Sequence, residues 1–521
     1  MYPTRYSPRT WLAACAIAFV LALAGCAAPP PAPKPPVEQA MPVQGTGQFV
    51  TLEEAIRAAN GPDASGFRLL ESNLDGLKWR LVLIDSASHS LDLQYYVWFG
   101  DATGQLLMAR VIAAADRGVK VRMLFDDLNT MLHDMTSPEL RDAMLARIDS
   151  HPNIQIRVFN AWRQRDWAGR VAEGAIEFER LNRRMHNKQM IVDNRVAVLG
   201  GRNIGDEYMG LNPAFNFHDL DVLGVGPVAR QASAVFDRYW NSDWVGRIPQ
   251  ARSAGGGRVT PASIELPPEA AADPRLQAVL TGARSWTAEL AVLPGSLAVG
   301  RSAVHADPPS RAHGVSNHMP EAFRDLMRSA RRELMITNAY IIPDEQFMAD
   351  LRELTARGVK VSILTNSLAS HDVPAVNSHY ERWRRPILRS GASLYELRSD
   401  AAIQAQLVDT APVRGGFVGL HIKAMVVDRE RSFIGSMNLD PRSEVFNSEM
   451  GVIIDSPALA TALATSMERD MRGANSWQLG LTADDNLVWT SDAGVRHLQP
   501  ARGFMQRVEN LFFKLLPASY Y

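Results

Sequence analysis

One pattern in this chain occurs twice, and that repetition limits the fold more than any single motif could. His186-Asn-Lys188-Gln-Met-Ile-Val-Asp193 is followed by Gly200-Gly201-Arg-Asn203, and His421-Ile-Lys423-Ala-Met-Val-Val-Asp428 by Gly435-Ser436-Met-Asn438. Both copies read H-x-K-x4-D-x6-G-[GS]-x-N. Short patterns match by chance, but two identical spacings at equivalent places in two repeated segments do not. The repeat extends upstream, where Arg117-Gly-Val-Lys-Val-Arg-Met-Leu124 returns as Arg357-Gly-Val-Lys-Val-Ser-Ile-Leu364. Each follows an amphipathic stretch (residues 106–115 and 347–356) and, before that, an apolar strand-like run (91–97 and 334–340). Strand, helix, Gly-containing turn and strand make a βαβ unit, which builds helix-covered, parallel-rich sheets. The expectation is an α/β protein of two repeated halves, packed to form one site at their interface.

A length of 521 residues suits two such cores, since a domain averages about 150. Composition divides the chain into a first half at 49–247, a connecting segment at 248–318 rich in Gly, Pro and Ala, a second half at 319–475 and a tail at 476–521. The two cysteines, Cys15 and Cys26, both precede the body, so it has neither a disulfide framework nor a cysteine-based zinc site. They belong to a signal pattern over residues 1–25: Arg5 and Arg9, an uncharged apolar run from Trp11 to Leu23, then Leu23-Ala-Gly-Cys26. The run is shorter than the roughly 20 residues that span a bilayer. Its ending resembles the lipobox of bacterial lipoproteins, which implies a lipidated Cys26. Residues 26–48 then form a Pro-rich linker, stiffest over AAPPPAPKPP. By resemblance to Gram-negative sorting signals, Ala27 directs the protein to the periplasmic face of the outer membrane.

Spacing also assigns roles. If residues 186–193 form a strand, His186 and Lys188 share a face and Asp193 points away. The same parity separates His421 and Lys423 from Asp428, so both aspartates are expected to be structural, together with Gly200, Gly201, Gly435 and Ser436. Two imidazoles, two ammonium groups and the amides of Asn203 and Asn438 suit a phosphodiester. One neutral imidazole can attack phosphorus. The other, protonated, can donate to the leaving alkoxide. Lysines and amides can hold the non-bridging oxygens. Such a site needs neither metal nor cofactor. Aligning Asp219-Leu-Asp-Val-Leu-Gly-Val225 with Glu449-Met-Gly-Val-Ile-Ile-Asp455 nominates Asp219 and Glu449 as the carboxylates that orient the histidines. The blander reading makes them strand-edge acids.

The duplicated motif resembles that of the phospholipase D superfamily, over roughly residues 70–460. The resemblance implies a double-domain fold, a phosphohistidine intermediate and metal independence, with His186 as nucleophile and His421 as acid and base. Gly200-Gly-Arg-Asn-Ile-Gly-Asp-Glu-Tyr208, Phe217-His-Asp-Leu-Asp-Val222 and Gly435-Ser-Met-Asn-Leu-Asp-Pro-Arg-Ser443 resemble the bacterial cardiolipin synthase C-like branch. That branch implies phosphatidyl transfer between phospholipids such as phosphatidylglycerol and phosphatidylethanolamine. Phospholipid hydrolysis and nucleic-acid cleavage are the alternatives. A formal charge of -1 counts against the latter, because phosphate contacts favour a basic surface. Asp126 and Asp127 read as loop acids, and Arg183-Arg184 and Arg382–Arg385 as solvated faces. His218, His371 and His379 carry no pattern. The apolar residues from Phe504 to Leu516 recur at helical spacing, predicting a helix packed on the core. Its other possible seat is the lipid interface.

Overall fold

The computed structural model describes residues 35–127, 138–163, 167–248, 286–309, 317–410 and 413–515. The signal pattern and Cys26 lie outside these residues.

Each half forms one mixed sheet, and the two have the same topology. In the first, neighbouring strands run Ser65–Leu70, Asp221–Val225, Val196–Gly200, Gln189–Val192, Ser90–Tyr95, Lys120–Asp126, Ile154–Phe159 and Val245–Arg247. In the second they run Ala298–Ala306, Met450–Asp455, Arg431–Gly435, Lys423–Val427, Glu333–Asn338, Lys360–Asn366, Ser393–Leu397 and Ser476–Leu481. Only the βαβ strands pair in parallel; their partners on either side run antiparallel. The equivalent edge strands Ser65–Leu70 and Ala298–Ala306 then pair antiparallel with each other and fuse the halves; with the hairpin Leu487–Ser491 and Gly494–Arg496 added beyond Ser476–Leu481, the described residues form one 18-stranded sheet. This joins two edges that would otherwise expose unpaired N–H and C=O groups.

The crossover helices form where the sequence repeat placed them. Ala102–Asp116 starts at Asp101, whose carboxylate accepts the N–H of Gly104, and Glu345–Ala356 starts at Asp344, which accepts that of Phe347. Both are followed by a glycine with positive φ, Gly118 at 101° and Gly358 at 83°, where a side chain would be strained. This accounts for the repeated Arg-Gly-Val-Lys. The helix Ala102–Asp116 buries Leu106, Leu107, Val111, Ala114 and Ala115 against the sheet.

Composition misplaced three boundaries. The strand Ala298–Ala306 lies within the stretch read as connecting, hidden by its half-exposed side chains and Gly- and Pro-rich flanks. Ser476–Leu481, read as tail, occupies the place that Val245–Arg247 takes in the first half. Residues 36–47, read as linker, lie along the first half: Glu38 N donates to Asn241 Oδ1 at 2.9 Å, Ala40 N to Asp237 Oδ2 at 2.8 Å, and Arg195 donates to Gln44 O at 2.6 Å. The helix Phe504–Phe513 does dock on the body, but through Gln506 and Asn510 rather than its apolar side.

The motif aspartates lie outside the strands on which the parity argument placed them. The strands are only Gln189–Val192 and Lys423–Val427, and Asp193 and Asp428 occupy the following turns with φ of 52° and 56°. Asp193 accepts the N–H groups of Ser88, His89 and Ser90 at 2.7–3.2 Å, locking the start of the neighbouring strand. Asp428 does the same for Arg331, Arg332 and Glu333. Asp193→Ala leaves these donors without their acceptor, so urea unfolding should show a loss of about 1–3 kcal/mol. Activity per folded molecule should survive; its abolition would place Asp193 in the chemistry instead.

Candidate active site

The two halves meet through a pair of short parallel contacts that are equivalent in the repeat. Met185 bridges Ser448, and the strand Val418–Leu420 pairs with Asn216–His218, setting Leu420 beside His218. His186 N donates to Ser448 O at 2.8 Å, and His421 N to His218 O at 2.8 Å. One residue further along each segment come the functional groups. His186 Nδ1 lies 2.8 Å from Glu449 Oε2, and His421 Nδ1 lies 2.6 Å from Asp219 Oδ2. The structure thus brings both nominated carboxylates to the histidines, each reaching the histidine of the other half. A proton on Nδ1 is donated to the carboxylate, which leaves Nε2 as the reactive nitrogen.

The lysines sit beneath the imidazoles. Lys188 Nζ donates to His186 O at 2.7 Å and Lys423 Nζ to His421 O at 2.5 Å, and both ammonium groups are buried. Aromatic rings wall the site. Tyr96 meets the His186 ring edge-on at 4.9 Å, while Tyr208 and Phe217 lie 5.3 and 5.0 Å from His421. Lys188 also lies over Tyr96 and Lys423 over Tyr340. Asn203 and Asn438 are both buried, and Asn203 Oδ1 accepts Val97 N at 3.3 Å.

The two glycine-containing turns explain the G-[GS] element. A Cβ on Gly201 would lie 2.3 Å from Asp219 Oδ1, and one on Gly200 the same distance from Asp221 Oδ1. In the other half Ser436 stands where Gly201 does, and its hydroxyl donates to Glu449 Oε2 at 2.5 Å. The second residue of the element therefore touches the orienting acid of its own half, as empty space for Asp219 and as a hydrogen-bond donor for Glu449.

Electrostatics separate the two pairs. Burial, followed by the charges of Lys188 and Lys423, holds His186 well below the ordinary imidazole range. Burial also pushes its partner Glu449 up to about 7. His421 is lowered by burial and by Lys423 against the opposing pull of Asp219. Burial alone would raise Asp219, but the His421 imidazole and Lys423 bring it below its usual value, so it stays ionised. Burial lowers Lys423 to about 8. Of the two histidines, His421 thus has the firmly charged carboxylate.

Several supporting groups take a role that the sequence did not show. Asp126 and Asp127 are buried rather than loop acids. Asp126 accepts Met185 N at 2.9 Å and Arg184 at 3.2 Å, and Asp127 accepts Trp162 N at 2.8 Å. Arg184 is accordingly a buried ion-pair partner and not part of a solvated face; Arg384, paired with Glu396 at 2.6 Å, is another. His218 Nε2 donates to Asp470 Oδ2 at 2.8 Å beside the His421 contact. Asp307 accepts the N–H of Glu449 at 2.9 Å from within the stretch read as connecting. Only the Asp-Asp and Arg-Arg doublets next to the repeat could have drawn attention to any of these.

Gly201→Ala should push the Asp219 carboxylate away from His421. Losing that negative neighbour removes support for the imidazolium, so the His421 pKa should fall further. Titration of the histidine side chains by NMR would measure this; an unchanged His421 pKa would show that Asp219 does not govern it.

Comparison with known proteins agrees with the geometry. A family model described as "Cardiolipin synthase, PLD-like domain" matches residues 81–240 and 323–471, one segment in each half. Cardiolipin synthase C of Escherichia coli K12 is 35% identical over 468 residues, covering 88% of this chain and 96% of its own. Cardiolipin synthase A of Pseudomonas entomophila is 27% identical, covering 87% and 78%. The crystal structure of phosphatidylserine synthase from Haemophilus influenzae superposes with a TM-score of 0.54 at 13% identity, over 83% of this chain and 92% of that one, which is a likeness of fold. With both halves matched and the duplicated motif gathered at their interface, the chain belongs to the cardiolipin synthase family of phospholipase D-like enzymes.

Proposed function

We propose that the enzyme is a phosphatidyltransferase that forms cardiolipin from phosphatidylglycerol through a phosphohistidine, with phosphatidylethanolamine as a further lipid substrate. The observation that carries this reading is the pair of buried imidazoles, each held at Nδ1 by a carboxylate of the opposite half beside a buried lysine. Such a pair divides the labour of phosphodiester exchange. His186, kept neutral by burial and two lysines, attacks phosphorus with Nε2. The bond from phosphorus to the leaving alcohol oxygen breaks as protonated His421 supplies a proton. His421 then removes the proton of the acceptor hydroxyl, whose oxygen attacks phosphorus and releases Nε2. The ionised Asp219 opposes the lowering of His421 by burial and Lys423, and so supports the protonated form that the donor of that first proton requires. Lys188 and Lys423 balance the charge on the non-bridging oxygens, with Asn203 and Asn438 as amide donors. The aromatic walls and the low exposure of the imidazoles (7% for His186, 5% for His421) favour an alcohol over water as acceptor.

Incubation of the protein with phosphatidylglycerol vesicles, with and without phosphatidylethanolamine, followed by mass spectrometry of the lipids, should reveal cardiolipin. His186→Ala should abolish it together with any acid-labile phosphoryl label on the protein. His421→Ala should lower turnover by about 10²–10⁴, the usual contribution of a positioned proton donor. Phosphatidic acid as sole product would make the enzyme a hydrolase, and no lipid change would remove the lipid reading.

We further propose that the protein is exported and held by lipid on Cys26 at the periplasmic face of the outer membrane. The support is the apolar run ending in Leu23-Ala-Gly-Cys26 and the proline-rich residues after it. Among the described residues no helix is long and apolar enough to cross a membrane. Cells fed labelled palmitate should incorporate it into the protein and not into Cys26→Ser; equal labelling of both would refute the anchor.

A further inference from the structure

The C-terminal helix Phe504–Phe513 is seated the wrong way round for a helix of a water-surrounded protein. Such a helix normally turns its apolar stripe to the core and its polar residues outward. Here Gln506 and Asn510, one turn apart, are the buried residues. Gln506 Nε2 donates to Leu368 O at 2.6 Å and its Oε1 accepts Arg502 N at 2.9 Å. Asn510 donates to Glu381 at 2.6 Å and accepts from Asn377 at 2.8 Å. One turn further on, Lys514 pairs with Glu381. This polar seam fixes the helix firmly while leaving the opposite face uncovered. Phe504, Met505, Val508, Leu511, Phe512 and Leu515 point outward, with exposures of 76%, 64%, 41%, 64%, 59% and 80%. A contiguous apolar stripe held outward by its own hydrogen bonds marks an interaction surface.

We propose that this face inserts into an anionic phospholipid surface and seats the enzyme on its substrate bilayer. Two observations favour lipid over a protein partner. Arg507 and Lys514, two turns apart, share one flank of the stripe, and with Arg384 and Arg385 they line a groove beside the helix that contains Leu498, itself 75% exposed, and one acid, Glu381, the partner of Lys514. Apolar residues facing out with basic residues along the border are the pattern of a helix lying in a headgroup layer. The second observation is where the helix is tied. Leu368, which accepts from Gln506, and Ala369 and His371, which accept from Arg502 just before the helix, follow the strand Lys360–Asn366 at the end of the sheet where the candidate site lies. His371 stacks on Tyr340 at 5.1 Å, Tyr340 donates to Asp372 at 2.7 Å, and Lys423 lies 5.8 Å from the Tyr340 ring. The segment that carries the helix therefore also builds the wall of the site, which brings a membrane under the helix close to the reacting groups.

The test reads the helix itself and does not depend on turnover. Leu511→Cys is made in the full chain with Cys15 and Cys26 replaced by serine, and carries an environment-sensitive fluorophore. Asn60→Cys, on the exposed end of the helix Val50–Asn60, serves as the control. Vesicles of equal phosphatidylglycerol and phosphatidylcholine should shift the Leu511→Cys emission to the blue and leave the Asn60→Cys emission unchanged. Pure phosphatidylcholine vesicles should give a smaller shift, and an equal one would overturn the anionic preference. No shift at Leu511→Cys with either vesicle overturns the proposal. So does a shift that grows with protein concentration in the absence of lipid, because the stripe would then cover a second copy of the chain.

Discussion

The structure depends on the two buried histidine–carboxylate pairs of the site, each of which is completed by the opposite half. A carboxylate or an ammonium group withdrawn from water is costly unless a partner compensates for it. Asp219 and Glu449 are fully buried, and their histidine partners come from across the interface. Neither half alone supplies the imidazole that its acid binds. The site therefore enforces the association of the halves, and the association in turn creates the site.

The backbone makes this arrangement specific. The fused edge strands set the two sheets in one register, and the two short parallel contacts, Met185 with Ser448 and Leu420 with His218, place each histidine one residue beyond its contact and each acid one residue beyond the other. Further buried groups hold these segments from behind. Asp126 grips the backbone before His186, and Asp307 grips the backbone of Glu449. The duplication is close in topology but not in chemistry. Gly201 faces Asp219 as space, whereas Ser436 donates to Glu449. Together with the different acids, this separates two histidines that a perfect repeat would make equivalent, and a reaction that needs one nucleophile and one proton donor benefits from that difference.

Most of the candidate site was legible in the sequence because its residues are set by short, local spacings that a duplication displays twice. The histidines, lysines, both orienting acids and the two βαβ units were all readable from such patterns. The argument from strand parity failed at Asp193 and Asp428, because the strands end early and the aspartates enter left-handed turns. What escaped were residues whose partners lie far away in sequence: Asp126, Arg184, Asp307 and the pair His218–Asp470. The strand Ala298–Ala306 escaped because its side chains are half-exposed and its pairing is set by two distant strands.

By itself the sequence determined the kind of chemistry, the α/β class and the number of repeated units, since residue type and spacing along one strand or turn do not require knowledge of the rest of the chain. The tertiary structure alone decided which acid serves which histidine, because two similar halves could in principle each pair internally, and only the cross-half strand contacts exclude that. It also decided the orientation of the last helix. Periodicity shows that the helix has an apolar face, but whether that face turns inward depends on what its polar side can bond to, and here Leu368, Asn377 and Glu381 offer the better seat.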